Sequence, residues 1–396
     1  MTAHPPPPPE NRDAARGLMD AFLRDTGVTG SAPVRRYLWT DAFAVCTLLE
    51  LHRLEALPPA GKESYGALAL RLVDQVHHTL GQHRPDDPRR GWLNGRVGAA
   101  AEAHPTAAGL RIGKPFPERT PDEPENRTLE WERDGQYFHY LTRWMHALGR
   151  VAAQEEDERY LRWAVELAHA AYRGFLRTER GGGSSHLAWK MSIDLARPLV
   201  DSQGHHDPLD GYLTFRCLAR AARLAGMELP DLDRETATLE ALAGIQGGED
   251  WATEDPLGIG GLMVDAWRAT RLRRAGARDA EALVDRLLGA AEKGMVRFTA
   301  SGLVDTHAGF RLPFRELGLC MGIHALERVD REAEESGRLP VRKRFLGLTG
   351  LPALARRIEE FWLDPEHQAL GSWTEHRDIN TVMLAASLLP GGYLGA

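Results

Sequence analysis

Carboxylates, histidines and tryptophans recur together at six places along the chain, each time where a polar loop runs into an apolar helix. The joints read RYLWTDAFAVCTLL (36–49), WERDGQYFHYLTRWMHAL (131–148), HHDPLDGYLTFRCL (205–218), TEDPLGIGGLMVDAW (253–267), FRLPFRELGLCMGI (310–323) and TEHRDINTVMLAASL (374–388). Their carboxyl groups are numerous enough for glycoside hydrolysis, which uses two carboxyls about 5–5.5 Å apart for retention and about 6.5–9.5 Å apart for inversion. Glu130, Glu132 and Asp134 come from the second joint, Asp207 and Asp210 from the third, Glu249, Asp250 and Asp255 from the fourth, and Glu375 and Asp378 from the sixth. Asp134 with Asp207 is the expected acid/base pair, because both stand at helix starts after the two longest loops. The competing role is helix capping, for which Asp is a favoured residue. Asp207-Pro208 and Asp255-Pro256 read as an N-cap followed by proline at the first helical position, and Asp210 fits a capping box.

The tryptophans and histidines suggest what the carboxylates would act on. Trp39, Trp92, Trp131, Trp189, Trp251 and Trp373 lie in or beside the joints, and the fifth joint offers Phe310 and Phe314. One such ring is more often a plug beneath a long loop, but six at equivalent positions point to a cleft where aromatic faces stack on sugar rings. His139, His186, His205, His206, His307 and His376 add groups able to move protons near neutral pH, His206 and His307 foremost. His205-His206-Asp207 lacks the HxH or HExxH spacing of a metal site, so neither metal nor cofactor is expected. Lys190 is one of five lysines among 49 basic residues and joins Arg111, Arg197, Arg311 and Arg377 as cations for an anionic sugar, or as counterions of the loop carboxylates.

These side chains need a scaffold that brings six joints to one end, and apolar periodicity near 3.6 supplies it. The spacing predicts twelve helices, at about 11–25, 33–55, 64–82, 135–152, 157–178, 208–225, 231–246, 258–275, 279–298, 313–330, 350–363 and 377–389. Even-numbered members are apolar over much of their surface and odd-numbered ones carry a charged stripe, the contrast between buried and solvent-facing helices. Turns within a hairpin are mostly short, whereas the connections 83–134, 179–207, 247–257, 299–312 and 364–376 are long, the pattern of loops gathered on one face. The inner-to-outer stretch 331–349 is the exception and should project from the opposite face. Six inner and six outer helices predict an all-α chain folded as an (α/α)6 barrel, one domain over 11–396 behind a proline-rich lead-in at 1–10.

Twelve helices in this alternation, with loops at one mouth, resemble the six-hairpin glycosidase superfamily over residues 11–389. That resemblance is architectural and implies a sugar-active enzyme: a glycoside hydrolase, an unsaturated-uronyl hydrolase, a lyase or an isomerase. It carries over no catalytic residue. The DxDD acid and Cys-Cys-His zinc spacings of other helical rings are absent from the sequence.

Composition narrows the alternatives. A formal charge of -7 and a pI near 6.2 argue against a nucleic-acid surface. No apolar run reaches the roughly 20 residues that span a bilayer. Cys46, Cys217 and Cys320 are odd in number and set in apolar helical patterns, which fits reduced thiols and a cytoplasmic protein. MTAHPPPPPENR has no apolar core of a secretory signal. Gly181–Gly183, Gly247-Gly248 and Gly391-Gly392 read as turns rather than phosphate loops, since none follows a strand.

The expected function is therefore a cytoplasmic glycoside hydrolase acting on a short saccharide, neutral or acidic. Asp134, Asp207 and His206 would be catalytic; Trp131, His139, Trp189, Lys190, Trp251, His307, Arg311, Trp373 and Glu375 would bind substrate. A sugar epimerase, isomerase or lyase working through histidines is the enzymatic rival. A helical barrel that binds a ligand or partner without turnover is the other.

Overall fold

A computed structural model describes residues 6–55, 63–178, 184–276 and 280–395. Helix predominates, and twelve helices of ten or more residues occur among the described residues: α1 (Pro9–Asp25), α2 (Leu38–Leu54), α3 (Tyr65–Leu80), α4 (Phe138–Glu155), α5 (Glu158–Phe175), α6 (Asp207–Leu224), α7 (Asp233–Leu242), α8 (Pro256–Arg274), α9 (Ala280–Ser301), α10 (Pro313–Glu335), α11 (Leu351–Leu363) and α12 (Arg377–Leu388). Residues 1–5 of the proline-rich lead-in and the Gly181–Gly183 turn lie outside the described residues. The stretch 331–349 completes α10 and then forms two short turns of helix, Val341–Arg344 and Leu346–Leu348.

Several helix starts differ from expectation, each for a visible reason. Pro33 does not open α2. Arg36 donates Nη2 to the Thr26 carbonyl at 2.7 Å, 33–37 stay outside the helix, and Asp41 accepts the Tyr37 N–H at 2.9 Å. Asp255 does cap α8, accepting the Leu257 N–H at 3.2 Å ahead of Pro256. Asp207 does not cap α6: it is the first residue of that helix, and its side chain makes no capping bond. Asp210 joins α6 to α4 by accepting from Thr142 Oγ1 and, at 2.6 Å, from Arg143 Nη1.

The chain divides into two compact units, one of residues 1–22, 50–56 and 249–396 (unit 1) and one of residues 23–49 and 57–248 (unit 2). In unit 1, α8 packs on α9 and α10, and α10 packs in turn on α11 and α12. The runs GIGG and LGLCMG explain the closeness of α8 and α10. A Cβ at Gly260 would collide with the Gly318 carbonyl, and one at Gly322 with the Gly260 backbone. Small residues thus let two buried helices touch through their main chains. Nearly all of α12 is buried, as expected for a helix apolar all round, while α9 and α11 bury one stripe and leave the other wet.

In unit 2, α4 packs on α5 and α6, and α6 on α7. The α5 stripe Leu161, Ala164, Val165, Leu167, Ala168 and Ala171 is buried, each larger side chain contributing about 1.5–3 kcal/mol. The long loops are not wholly irregular. β1 (Gln136–Tyr137), β4 (Lys190–Met191) and β5 (Pro198–Val200) form an antiparallel sheet in the order β1-β4-β5, and β2 (Leu176–Thr178) pairs with β3 (Ser185–Leu187). Strands of two or three residues are too short to show a period of two and leave no periodic trace. The register sets Tyr137 opposite Lys190, with Trp189 adjacent.

Candidate functional site

The loops before α4 and α6 are held by polar side chains turned inward. The Gln136 amide donates to the carbonyls of Ala108 (3.1 Å) and Ile193 (2.7 Å) and accepts the Leu110 N–H (2.9 Å), so one side chain joins three segments. Arg89 reaches Asp87 (2.7 Å), Glu118 (2.5 Å) and Asp194 (2.9 Å), tying the first loop to the second. Arg119 pairs with Glu130 at 2.6 Å and donates to the Leu199 carbonyl at 3.1 Å. Buried polar groups satisfied in this way make the loops part of the folded body.

That framework presents a cluster of aromatic rings. Tyr137 lies with ring centroids 5.3 Å from His139, 5.1 Å from Tyr140 and 5.0 Å from Trp189. Trp189 continues to Trp131 at 4.8 Å, edge to face, and Trp131 is about half exposed. Tyr37 closes the other side, its ring 5.5 Å from Tyr140 and its hydroxyl 2.5 Å from the Tyr140 hydroxyl. Three of the chain's eight tyrosines therefore meet here. Burial pushes the Tyr37 hydroxyl up to about 12, against the bond from Tyr140. Burial raises Tyr137 further, with Tyr37 and the carboxylates of Glu130, Glu132 and Asp134 adding to it. Both remain protonated donors at neutral pH.

At the edge of the cluster stands a histidine–carboxylate pair. His139 Nδ1 lies 3.6 Å from Asp207 Oδ1. The buried atoms His139 Nδ1, Asp207 Oδ2 and Tyr137 OH each lack a hydrogen-bond partner. Leaving buried polar atoms unpaired costs about 1–3 kcal/mol apiece, and here three such atoms are grouped at one place. Gly204 accommodates the carboxylate, for a Cβ there would stand 2.5 Å from Asp207 Oδ2.

Asp134 is placed quite differently from Asp207. It is fully buried, and Arg111 Nη1 donates to its Oδ2, with Arg84 Nη1 at 3.4 Å. Its Oδ1 accepts the N–H groups of Gly113 and Gly135, each at 3.0 Å. Two guanidinium groups and this set of amides occupy both of its oxygens, whereas one oxygen of Asp207 has no partner. Lys190 is likewise internal. Its Nζ donates to the carbonyls of Glu130 and Arg133 (2.8 Å) and forms an ion pair with Glu130 Oε2 at 3.5 Å. Burial brings its pKa down to about 8 against the opposing pull of Glu130.

The remaining expected residues scatter. His206 stacks on His205 at 4.5 Å, next to Asp207 in the chain. Trp251, His307, Arg311, Trp373 and Glu375 belong to unit 1. There Trp251 is buried, with the Arg286 guanidinium 4.2 Å over its ring, and Trp373 is buried against Trp362 at 5.9 Å. Arg311 is a buried partner of Glu316 at 2.6 Å, and the Trp362 indole N–H donates to the same carboxylate at 2.9 Å. His307 caps a short helical turn by accepting the Gly309 N–H at 3.1 Å, and Glu375 is exposed.

Sequence reasoning did not single out Tyr37, Tyr137, Tyr140 or Lys114. The usable signals were QYFHY at the second joint and a second loop lysine in an arginine-dominated chain. Among the described residues no group of three or more His, Cys, Asp or Glu side chains could hold a metal ion, and no helix is long and apolar enough to cross a membrane. No protein-family model matches the chain, and no curated protein matches it in sequence.

Proposed function

We propose that this chain is a carbohydrate-active enzyme whose saccharide site is the aromatic cluster of unit 2, with His139 as proton carrier and Asp207 orienting it. The observation that carries the reading is the His139–Asp207 pair, half-buried beside Tyr137 with three polar atoms unpartnered. Trp131 and Trp189 offer faces for sugar rings, and the unpaired Tyr137 hydroxyl offers a donor. A histidine backed by a carboxylate suits reactions that remove and return a proton on carbon, the chemistry of sugar isomerisation, epimerisation and elimination.

Hydrolysis is the second reading, and it rests on Glu132. This exposed carboxylate of the second joint acts on Tyr37 and Tyr137, and could serve opposite Asp207 now that Asp134 is held by arginines. For the architecture we propose the (α/α)6 barrel. It is supported within each unit by first helices of successive hairpins packing together, α4 on α6 and α8 on α10 on α12. No disulfide joins the three cysteines, which supports a cytoplasmic setting.

Incubating the protein with a panel of mono- and oligosaccharides in deuterated water separates the readings. Carbon-bound deuterium in recovered sugar supports His139 chemistry, and new reducing ends support hydrolysis. A panel with neither turnover nor binding would overturn the saccharide reading.

A further inference from the structure

Most cations beside the aromatic cluster are committed to the fold. Arg111 gives Nη1 to Asp134, Nε to the Gln82 carbonyl at 2.7 Å and Nη2 to that of Thr79 at 2.6 Å. Arg84 is shared among Asp86 (2.7 Å) and the carbonyls of Lys114 (2.7 Å) and Pro115 (2.8 Å). Lys190 is bonded to two carbonyls and paired with Glu130, and Arg143 bonds Asp210.

Lys114 is different. Its main chain is anchored on both sides, the N–H directed at Asp134 Oδ1 (3.4 Å) and the carbonyl accepting from Arg84. Its side chain leaves that anchor to put Nζ 5.5 Å from the centroid of the Tyr37 ring, and among the described residues no carboxylate lies within ion-pair distance of it. Burial lowers its pKa, while the charges of Glu132 and Asp134 oppose the shift. Tyr37 is itself bonded to Tyr140, whose ring is 4.9 Å from His139. A fixed ammonium group with free donors thus stands one tyrosine pair away from the histidine–carboxylate pair.

We infer that Lys114 recognises a carboxylate of the saccharide, so that the substrate class is an acidic, uronate-containing oligosaccharide. The carboxylate would lie on the sugar next to the one that meets His139. A singly charged group fits better than a phosphoryl dianion. Lys114 is a lone point charge rather than an arginine fork, and it already sits in the field of two carboxylates, which would repel a second negative charge. This inference rests on the saccharide reading above and deepens it.

Isothermal titration calorimetry with matched neutral and uronate trisaccharides of gluco, galacto and manno configuration tests it, on the wild-type protein and on Lys114→Gln with its fold checked by circular dichroism. The wild type is expected to bind at least one uronate about tenfold or more tighter than its neutral match. Lys114→Gln should bring that ratio near one without changing the neutral affinity. The wild-type preference should also shrink from low to high salt, a measurement that does not depend on the variant folding. Equal binding of both members in the wild type, a preference that survives Lys114→Gln, or one indifferent to salt would each overturn the inference while leaving the saccharide site standing. Failure of every sugar, neutral and acidic, would remove the saccharide reading and this inference together.

Discussion

His139 Nδ1 and Asp207 Oδ1 are 3.6 Å apart, and neither that nitrogen nor the other oxygen of the carboxylate is hydrogen-bonded within the protein. Asp207 opens α6 and His139 lies in the first turn of α4, so the pair joins two packed helices at their N-terminal ends. A gap somewhat wider than a hydrogen bond suits groups that tighten when substrate arrives.

Removing either member should abolish turnover and spare the fold. His139→Gln and Asp207→Asn are each expected to lower kcat by roughly 10²–10⁴-fold, the range of general acid–base catalysis, with melting temperatures close to wild type. Steady-state kinetics with a saccharide found in the panel, beside thermal melts, checks this. A folded variant with full activity would dismiss the pair.

Asp134→Asn should show the reverse profile. It would leave Arg111 and Arg84 facing a neutral amide in a fully buried setting, a change that costs about 3–5 kcal/mol when one partner of a buried ion pair is removed. Chemical denaturation is expected to show that loss. If Asp134→Asn melts like the wild type but is inactive, the carboxylate belongs to the reaction after all.

Two histidines, His77 buried and His324 half-buried, give the units opposite pH limits. In unit 2, burial with His78 nearby pushes His77 down to about 3, and its Nε2 accepts the Trp144 indole N–H at 3.1 Å. The unfolded chain takes up a proton that the fold refuses, so this contribution is intact above about pH 6.5 and fades as pH falls from there towards 3. In unit 1, burial disfavours the charge on His324, but bonds to Glu327 (3.4 Å) and Glu359 (2.8 Å) outweigh it and hold the pKa up to about 9. Its contribution is complete below about pH 6.5 and disappears as pH rises through 9. Hydrogen exchange at pH 5, 7 and 9.5 should find amides of unit 2 loosened at the acid end and those of unit 1 at the alkaline end. Uniform behaviour of both units would refute the assignment.

The tryptophans should separate into two groups. Trp189→Ala is expected to weaken saccharide binding about tenfold, near the 1.4 kcal/mol that a stacked ring contributes, with little change in stability. Trp251→Ala and Trp373→Ala remove rings that are 3% exposed, and should cost roughly 3–5 kcal/mol of stability in unit 1. Quenching of tryptophan fluorescence by sugar should survive both of the latter in any folded sample.

Helix positions were legible because each depends on a dozen or more residues repeating a local pattern. The starts were less so. Nothing near Pro33 announces that Arg36 will reach back to Thr26 and delay α2 to Leu38. The two aspartates chosen as a catalytic pair show the deeper limit. Asp134 and Asp207 look alike in sequence, each before an apolar helix, and what separates them is Arg111 and Arg84, more than twenty residues upstream of Asp134. The same holds for the lysines. Lys190 drew notice by rarity, but it is fully buried, bonded to the carbonyls of Glu130 and Arg133 and paired with Glu130, whereas no carboxylate pairs with Lys114 among the described residues. Six joints were visible; which polar atoms would remain unpaired was decided by distant loop residues.

The glycine contact between α8 and α10 has a consequence for the loops above it. Where two main chains touch, the spacing of the helices is set by the backbone and not by the volume of any side chain. Residues 247–255 and 302–312 lead into those helices from a fixed datum, as parts bolted to one machined face. Such loops are free to change length and composition without the core beneath them having to find a new packing.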